Sequence, residues 1–501
     1  MNDNEQYEQS QLFQLKNGQY LLDAEQSEVF STIISEHPHC NFDYKWDEMA
    51  MGELFAKCYS HNTLFCPEAK QWFSYNGKIW VKDVGVILTS ERLKEFTRLM
   101  QIYCNEIPEQ DEDVVKKYRA FVAKLGDRRV RDRILKDAQG EARVSINQFD
   151  ANPYLINCDN GTYDLKSGKF HFHTATDYLT MKTNCNYLLP TVVVEFNRWG
   201  EFIYEITCGD KKVADYLQTA LGYSLLGRAN EECMFIAYGK TTRNGKGTLL
   251  NTIHNILGDY AKTIAVDFIC TNKNGKNSYS SANPMLCELK GARFVTMSES
   301  DDAGKLDEAI IKNYTGSDPI STRQLYGEAF SFIPQFKMWL SCNTLPSVND
   351  KSLFSSDRIK VIEFNRHFSE DERDTKLKEK FLKSEAKSVI FKWLLDGYKR
   401  YIKVGLIEPD VIRSAVKSYE KRNDRVGIFV DEMCVLDTDS LVGRTELYSA
   451  YKSWCRTNGI NAKSAQKFYD DIECHATAKI RNGYRYFQGI NLKNISNVEI
   501  K

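Results

Sequence analysis

Long apolar runs are missing from this 501-residue chain. No stretch reaches the roughly 18 to 20 consecutive apolar residues that a membrane-spanning helix needs, so such a span is excluded. The opening residues MNDNEQYEQSQ have no basic start and no apolar segment, which argues against a secretory leader and predicts a cytoplasmic location. Charge of one sign is missing too. Sixty-seven Lys and Arg against 68 Asp and Glu leave a net charge of −1, which excludes a wholesale basic nucleic-acid binder. A local basic patch, or a channel assembled from several subunits, stays open. The 14 cysteines contain no CxxC pair, and Cys58 and Cys66 are badly spaced for zinc, so reduced thiols buried as small hydrophobes are expected. There is no internal repeat and no low-complexity tract. What remains is 42% hydrophobic and 27% charged, a globular composition with ample core for two to four domains.

The first forty-odd residues are polar and without pattern. Trp72 to Trp80 predicts a hairpin with an Asn76-Gly77 turn, the strongest short-range hairpin signal. Ser90 to Gln139 reads as charged helix. Within it, Arg128, Arg129, Arg131 and Arg133 alternate with Asp127, Asp132 and Asp137, the pattern of a charged helix face, with DNA contact as the alternative. Ile146 to Tyr187 returns to strands, with turns at Asn160-Gly161 and Ser167-Gly168. Val194 to Gly227 is helical. Strand and helix patterns then alternate to about Phe364, as in an α/β sheet. Ser369 to Val404 is helical, and beyond Pro409 helices and a hairpin-like run from Ala478 to Leu492 suggest a small separate module.

The most informative stretch is Tyr238 to Leu250, YGKTTRNGKGTLL. An apolar run ending at Ala237 enters a Gly-bounded polar loop, then Gly245-Lys246 opens a helical pattern through Leu249, Leu250, Ile253, Ile256 and Leu257. Strand, loop and helix in this order make an anion site from backbone N–H groups and the helix N-terminus, and Lys246 adds a mobile positive charge for terminal phosphates. A nucleoside triphosphate is the first ligand this implies. Five residues separate Gly239 from Gly245 where four are usual. Gly247 follows Lys246, and the hydroxyl arrives one later, at Thr248, within reach of phosphate or of magnesium through water. The alternative is an ordinary Gly-rich turn. A phosphate loop needs a second acidic strand. Arg293 to Glu299, RFVTMSE, supplies one; Glu299 is the candidate metal and water carboxylate, against a solvated acidic turn with Asp301 and Asp302. Phe336 to Asn343 is an apolar strand ending on an Asn that can bond a γ-phosphate or orient water, against a simple turn Asn.

This order of motifs resembles the superfamily 3 helicases of viruses, phages and plasmids. It is most similar to the phage/plasmid primase–helicase group related to the poxvirus primase–helicase. The run from Gly291 to Pro346 carries that group's Walker B, B-prime and C motifs, and Asn244 to Thr248, NGKGT, is its form of the phosphate loop. Trp72 to Tyr187, with Asn147–Asp150 and Asn160–Leu165, looks like the group's N-terminal helicase-associated domain. Val426 to Leu492, around Glu446–Tyr448 and Tyr451–Trp454, looks like its C-terminal winged-helix-like domain.

The resemblance implies an α/β protein whose AAA+-like ring ATPase core is flanked by an α+β N-terminal helicase-associated (collar) domain and a C-terminal winged-helix-like domain. The expected boundaries are a poorly patterned segment at 1–50, the collar at 51–190, the ATPase core with its leading helices at 191–368, a helical lid or linker at 369–420 and the DNA-binding module at 421–501. It implies ATP and Mg2+ as ligands, with Gly239, Asn244, Gly245, Lys246, Gly247 and Thr248 at the nucleotide, and Thr248 and Glu299 at the metal. Asn343 becomes the sensor of motif C. Arg358 fits an arginine finger reaching a neighbouring subunit's ATP, although Asp357 stands where the group often has a second arginine; the alternative is an ion pair with Asp357 or another acid. A finger offered in trans needs a ring, a hexamer by the resemblance, with a DNA strand through its centre.

Thr322 to Glu328 reads as part of a hairpin or pore loop in which Arg323 meets phosphates and Tyr326 stacks on a base, or packs in the core; Lys312 lies on the preceding helical stretch. In the C-terminal module Lys463, Lys467, Lys479, Arg481 and Arg485 surround Tyr484, Tyr486 and Phe487, as a wing touching duplex DNA or as a solvated charged face. The leading expectation is an ATP-dependent replicative DNA helicase of a phage, plasmid or other mobile element, with a separate primase or polymerase as a possible partner. The rivals are a primase, a small-molecule kinase, and an origin-binding initiator whose ATPase times assembly. About fifty residues precede the resembling region, too few for a primase-polymerase domain, so no intrinsic primer synthesis is expected.

Overall fold

A computed structural model describes residues 22–107, 112–188, 196–271, 283–298, 304–323, 325, 329–348 and 352–493, and the backbone of 15–16 and 19–20. The N-terminal part is built on helices Ala24–Glu36, Glu48–Tyr59, Ile87–Glu106, Glu112–Lys124 and Arg128–Glu141. Their apolar stripes meet in one core around Phe55, Phe96, Leu99 and Tyr118. The first helix is a departure from expectation. It lies where the sequence looks patternless, yet Asp23 and Gln26 form a reciprocal capping box and Val29 and Ile33 are buried. Two three-stranded antiparallel sheets complete this part. In each the expected turns set the register, with Tyr75 opposite Trp80, Cys158 opposite Gly161 and Asp164 opposite Lys169.

The centre is a five-stranded parallel sheet. Its strands are β1 (Met234–Tyr238), β2 (Ala261–Ala265), β3 (Phe294–Ser298), β4 (Lys337–Cys342) and β5 (Ile359–Glu363), in the order β2-β3-β4-β1-β5. Parallel strands are covered on both faces, so they read as continuous apolar runs. Successive side chains alternate between two cores. Phe235, Ala237, Phe294, Trp339 and Ile362 face one side, against the helices Lys246–Leu257, Lys211–Tyr223 and Ser384–Val404. Met234, Ile236, Val295, Met297, Met338, Leu340 and Val361 face the other, with Ile310, Ile311 and Tyr419. Each large side chain buried this way contributes about 1.5–3 kcal/mol. Trp339 stacks on Phe235 with ring centres 4.5 Å apart and donates its indole N–H to the Ser224 hydroxyl at 3.1 Å.

Two devices fasten the rest of the molecule to this sheet. The 211–223 and 384–404 helices approach so closely that a Cβ on Gly222 would lie 2.2 Å from the Tyr398 amide nitrogen, and one on Gly397 would lie 2.1 Å from the Gln218 carbonyl oxygen. Gly222→Ala is therefore expected to force the helices apart, costing about 1–3 kcal/mol, read as a lowered midpoint of thermal unfolding. At the amino end of the sheet the buried Arg293 guanidinium donates to the carbonyls of Pro153 (2.6 Å), Leu155 (3.3 Å), Asn152 and Leu225 (both 3.4 Å), tying the 155–171 sheet to β3. Beside it Lys337 donates to the carbonyls of Leu226 and Gln335 and lies over the Tyr223 ring. Burial pushes the Lys337 ammonium well below the usual lysine range.

Between β3 and β4 an antiparallel hairpin, Ile320–Arg323 with Ala329–Phe332, follows the helix Glu308–Thr315. After helices Asp410–Asn423 and Arg425–Met433 the chain closes with strand Cys434–Gly443, helices Arg444–Thr457 and Ala465–Ile472, and strands Thr477–Arg481 and Tyr484–Leu492, the last strand lying central in its sheet. Phe429, Leu447, Tyr451, Phe468, Phe487 and Ile490 form its own core. No helix among the described residues is long and apolar enough to cross a membrane.

Candidate functional site

β1 delivers the chain at Tyr238 to the loop that begins with Gly239, and the helix Lys246–Leu257 leaves it. The turn needs glycine at both ends. Gly245 has φ 86°, and a Cβ there would lie 2.4 Å from Ile206 Cγ2. A Cβ on Gly239 would lie 2.3 Å from Asn244 Nδ2 and 2.8 Å from the Phe364 carbonyl oxygen. The N-cap residue, Gly245, has no side chain to cap the helix, so beyond the Lys246 amide its first-turn N–H groups lack the usual capping acceptor, at the positive end of the helix dipole. A Cβ on Gly247 would meet nothing within 4 Å, so this turn opens onto space. Such a turn suits an anion of phosphate size.

Lys246 and Asn343, far apart in sequence, meet here. The buried Lys246 ammonium donates to Asn343 Oδ1 at 2.8 Å and to the Gly239 carbonyl at 3.0 Å. Asn244, also buried, donates to the Thr241 carbonyl at 2.5 Å and accepts from the Lys246 amide at 3.4 Å, which shapes the loop from inside. Asn343 follows β4, whose last residue, Cys342, pairs with Tyr238 at the end of β1. Ser298 closes β3 in register with Ser341. The loop, Asn343 and the end of β3 therefore share the carboxyl edge of the sheet, where open α/β sheets bind ligands. Thr248 lines a cavity beside the loop. Glu299 and Tyr326 lie outside the described residues, as do Asp301 and Asp302.

Arg358 stands at the other edge. It immediately precedes β5, and its carbonyl accepts from the Met234 amide at the start of β1. The length of β1, about 16 Å at ~3.3 Å per residue, separates it from the loop of its own chain. Its guanidinium donates to Glu232 Oε2 at 2.7 Å and to Thr315 Oγ1 at 2.6 Å. The ion-pair partner is thus Glu232, not Asp357, which sits near Lys360 at 3.8 Å. Sequence reasoning missed both partners; an acid just before β1 was the only available signal.

The expected nucleic-acid residues divide between two places. Arg323 is exposed at the end of the first hairpin strand, opposite Ala329. Lys312, on the helix before the hairpin, donates to the Ser352 hydroxyl at 2.6 Å. In the C-terminal unit Lys467, Arg481 and Arg485 are all exposed, with Ile480 and Tyr484 exposed beside them. The wider set of basic and aromatic residues loses two members. Lys463 is paired with Asp471 at 2.6 Å, and Phe487 is core. Arg133 pairs with Glu48 at 2.7 Å and Arg128 approaches Asp132 at 3.9 Å, as a charged helix face does. All 14 cysteines are unpaired, and only Cys40, Cys208 and Cys474 are exposed. Among the described residues no group of three or more His, Cys, Asp or Glu side chains is placed to hold a metal.

Comparison with known proteins follows these divisions. Residues 52–208 match the family described as D5 N terminal like, residues 421–498 match poxvirus D5 protein-like, and residues 237–358 match a family of unknown function, DUF5906. A putative helicase (L207/L206) of Acanthamoeba polyphaga mimivirus is 26% identical over 421 residues, covering 77% of this chain and 43% of that protein. A putative helicase (121R) of Invertebrate iridescent virus 3 is 23% identical over 475 residues, covering 81% and 49%. The chain thus spans less than half the length of these relatives. Among solved structures, the NrS-1 C-terminal region in its apo A form aligns with 88% of this chain and 99% of that one, at 11% identity and a TM-score of 0.46. With a D5 N terminal like region before the parallel sheet, a poxvirus D5 protein-like region after it, and relatives named putative helicases in large DNA viruses, the chain is related to the poxvirus D5 primase–helicase.

Proposed function

We propose that this protein is an ATP-dependent DNA helicase of the superfamily 3 type that acts in replication of a virus or other mobile element. The observation that carries the reading is the Lys246–Asn343 contact of 2.8 Å at the carboxyl edge of the sheet. A lysine from a glycine-bounded loop and an amide from a neighbouring strand end are the pair that triphosphate hydrolysis calls for. The strand order, with β1 between β4 and β5, supports an AAA+-like core.

Each residue then has a task. Backbone N–H groups of residues 246–248 and the Lys246 ammonium bind the phosphates of ATP. Asn343 holds Lys246 and orients the attacking water. Thr248 and Glu299 would hold magnesium, which supplies charge neutralisation on the phosphate oxygens. Arg358 cannot serve its own nucleotide from the far edge of the sheet, and that separation supports action on a neighbour's, hence a ring, which the reading takes as a hexamer. Arg323, Tyr326 and Lys312 are assigned to contact with the translocating strand. The order helix, strand, two helices and hairpin supports a winged-helix reading of the C-terminal unit, with Lys467, Arg481 and Arg485 on duplex phosphates.

Unwinding of a forked duplex with ATP tests the proposal. DNA-stimulated hydrolysis without strand displacement would replace the motor with an initiator, and primer synthesis from NTPs would favour a primase. For the C-terminal unit, the double variant Arg481→Ala, Arg485→Ala is expected to weaken duplex binding at all sequences alike. It should lower the log–log salt slope by about one per arginine, measured by fluorescence anisotropy, and leave DNA-free hydrolysis unchanged. An unaltered slope would return these residues to a solvated face.

A further inference from the structure

A cleft of about 670 Å³ lies between the N-terminal part and the amino edge of the parallel sheet, the edge opposite to the loop that holds Lys246. That volume is in the range of small-ligand sites. One wall is Trp80–Lys82, the edge strand of the sheet that also holds Thr63–Cys66 and Gln71–Tyr75. The other is supplied by Lys262 near the start of β2, by Cys287, and by Ala329 and Phe330 on the second strand of the 320–332 hairpin. Two hydrogen bonds fix the core to the N-terminal part beside it. Lys290 Nζ donates to the Phe149 carbonyl at 3.0 Å, and Gln335 Nε2 donates to the Asp150 carbonyl at 3.2 Å. The cleft is therefore pre-formed.

Its lining is aromatic and its charges balance. Phe73 and Phe149 pack with ring centres 4.6 Å apart, and Trp80 lies 6.1 Å from Phe149. These three are buried, whereas Phe330 is half-buried and has ring surface to offer. The carboxylates accept from neutral donors: Glu68 from the Ser145 hydroxyl at 3.0 Å, Asp259 from the Lys182 amide at 3.1 Å, and Asp150 from the Thr180 amide at 2.9 Å. Lys82, exposed, and Lys262, half-buried, make no ion pair among the described residues. Three carboxylates in the walls disfavour a phosphate inside the cleft, whereas a neutral flat group meets apolar surface and leaves the two ammoniums for its charged neighbours. The hairpin assigned to DNA adjoins this space. Arg323 pairs across it with Ala329 and Thr322 with Phe330, so the exposed arginine stands one strand spacing, about 4.8 Å, from a residue that walls the cleft. The Asn283 amide donates to the Arg323 carbonyl at 3.1 Å and Cys287 Sγ lies 3.4 Å from Thr322 Oγ1, which ties the hairpin to the same wall.

We infer that this cleft receives one unstacked base of the single DNA strand, with the base on Phe330 and the flanking phosphates on Arg323, Lys82 and Lys262. The inference rests on the reading that the hairpin carries DNA, and it adds a second foothold made jointly by the N-terminal part and the core. A base seated there bridges the two parts, so the strand is gripped by a base as well as by its backbone. Every base has a flat face, so this grip is sequence-tolerant.

Fluorescence anisotropy on the full chain tests this with two labelled strands of equal length and charge, oligodeoxythymidylate and its abasic counterpart. Wild type should prefer the strand with bases. Phe330→Ala should weaken that strand about tenfold, the lower part of the range for an aromatic on a base, and leave the abasic strand unchanged, which a general loosening of the hairpin would not do. Lys82→Gln and Lys262→Gln should weaken both strands alike, each lowering the log–log salt slope by about 0.7. A strand carrying iodouracil, irradiated with the wild-type protein, gives a readout that needs no variant: its adduct should map to Phe330. An equal loss on both strands in Phe330→Ala, no loss on either, or adducts only outside the cleft would overturn the inference. Arg323→Ala separates the two readings. If it weakens both strands while Phe330→Ala is silent, the hairpin still carries DNA and only the base site falls. If neither substitution matters, the hairpin reading falls as well.

Discussion

Lys246→Ala is expected to reduce ATP hydrolysis at least a hundredfold. Removing one positioned donor from a site where charge develops costs about two to three orders of magnitude, and this ammonium is the cation held within the loop itself. The fold should survive with a modest penalty. The substitution takes one donor from the Asn343 amide oxygen and one from the Gly239 carbonyl, and a buried acceptor that loses its donor costs about 1–3 kcal/mol. Circular dichroism should match wild type, the thermal midpoint should fall by a few degrees, and steady-state hydrolysis should be close to background. Wild-type turnover in a folded variant would refute the phosphate assignment.

Arg358→Ala should be nearly as damaging through a different route. Nucleotide binding should be intact, because the guanidinium is a strand's length from its own loop. Hydrolysis in the assembled form should fall about a thousandfold or more, the usual worth of an arginine finger. Mixing with Lys246→Ala subunits, which keep the arginine, should restore part of the activity. Full activity in a monomeric form would contradict action in trans. The Glu232 and Thr315 contacts complicate a single substitution, since Arg358→Ala also leaves Glu232 without its ion pair. Glu232→Gln separates the two effects. It removes the ion pair and leaves the guanidinium, so hydrolysis should persist. If it is lost as completely as in Arg358→Ala, the arginine matters for packing and not for a neighbour's phosphate.

The parts of this molecule that could be read from sequence are those specified by neighbours along the chain. Asn76-Gly77, Asn160-Gly161 and Ser167-Gly168 dictate tight turns, and the hairpins have the register those turns require. The strand, loop and helix around Gly239–Gly245 were legible because an apolar run, a glycine-bounded loop and a helical stripe follow one another within about twenty residues. The Ala24–Glu36 helix was missed because it buries so few apolar side chains, although the Asp23–Gln26 capping pair was a signal for it. What could not be read are the pairings across the chain. Lys246 reaches Asn343 over 97 positions and Arg358 reaches Glu232 over 126. No local pattern marks Glu232 as a partner. Arg293 looked like the first residue of a strand, and its four carbonyl partners appear only when the 155–171 sheet is folded against it.

The hydrogen bond between Arg358 and Thr315 has a mechanical meaning under the proposed reading. Thr315 ends the helix that runs straight into the hairpin bearing Arg323, and the Lys312 carbonyl on that helix also accepts from the same guanidinium, at 3.4 Å. An arginine that swings out to an adjoining subunit must first let go of that helix. Catalysis at one subunit boundary and the footing of a DNA strand on the next hairpin then share a single side chain, so firing order around the assembly would be written into which subunit has released its own helix.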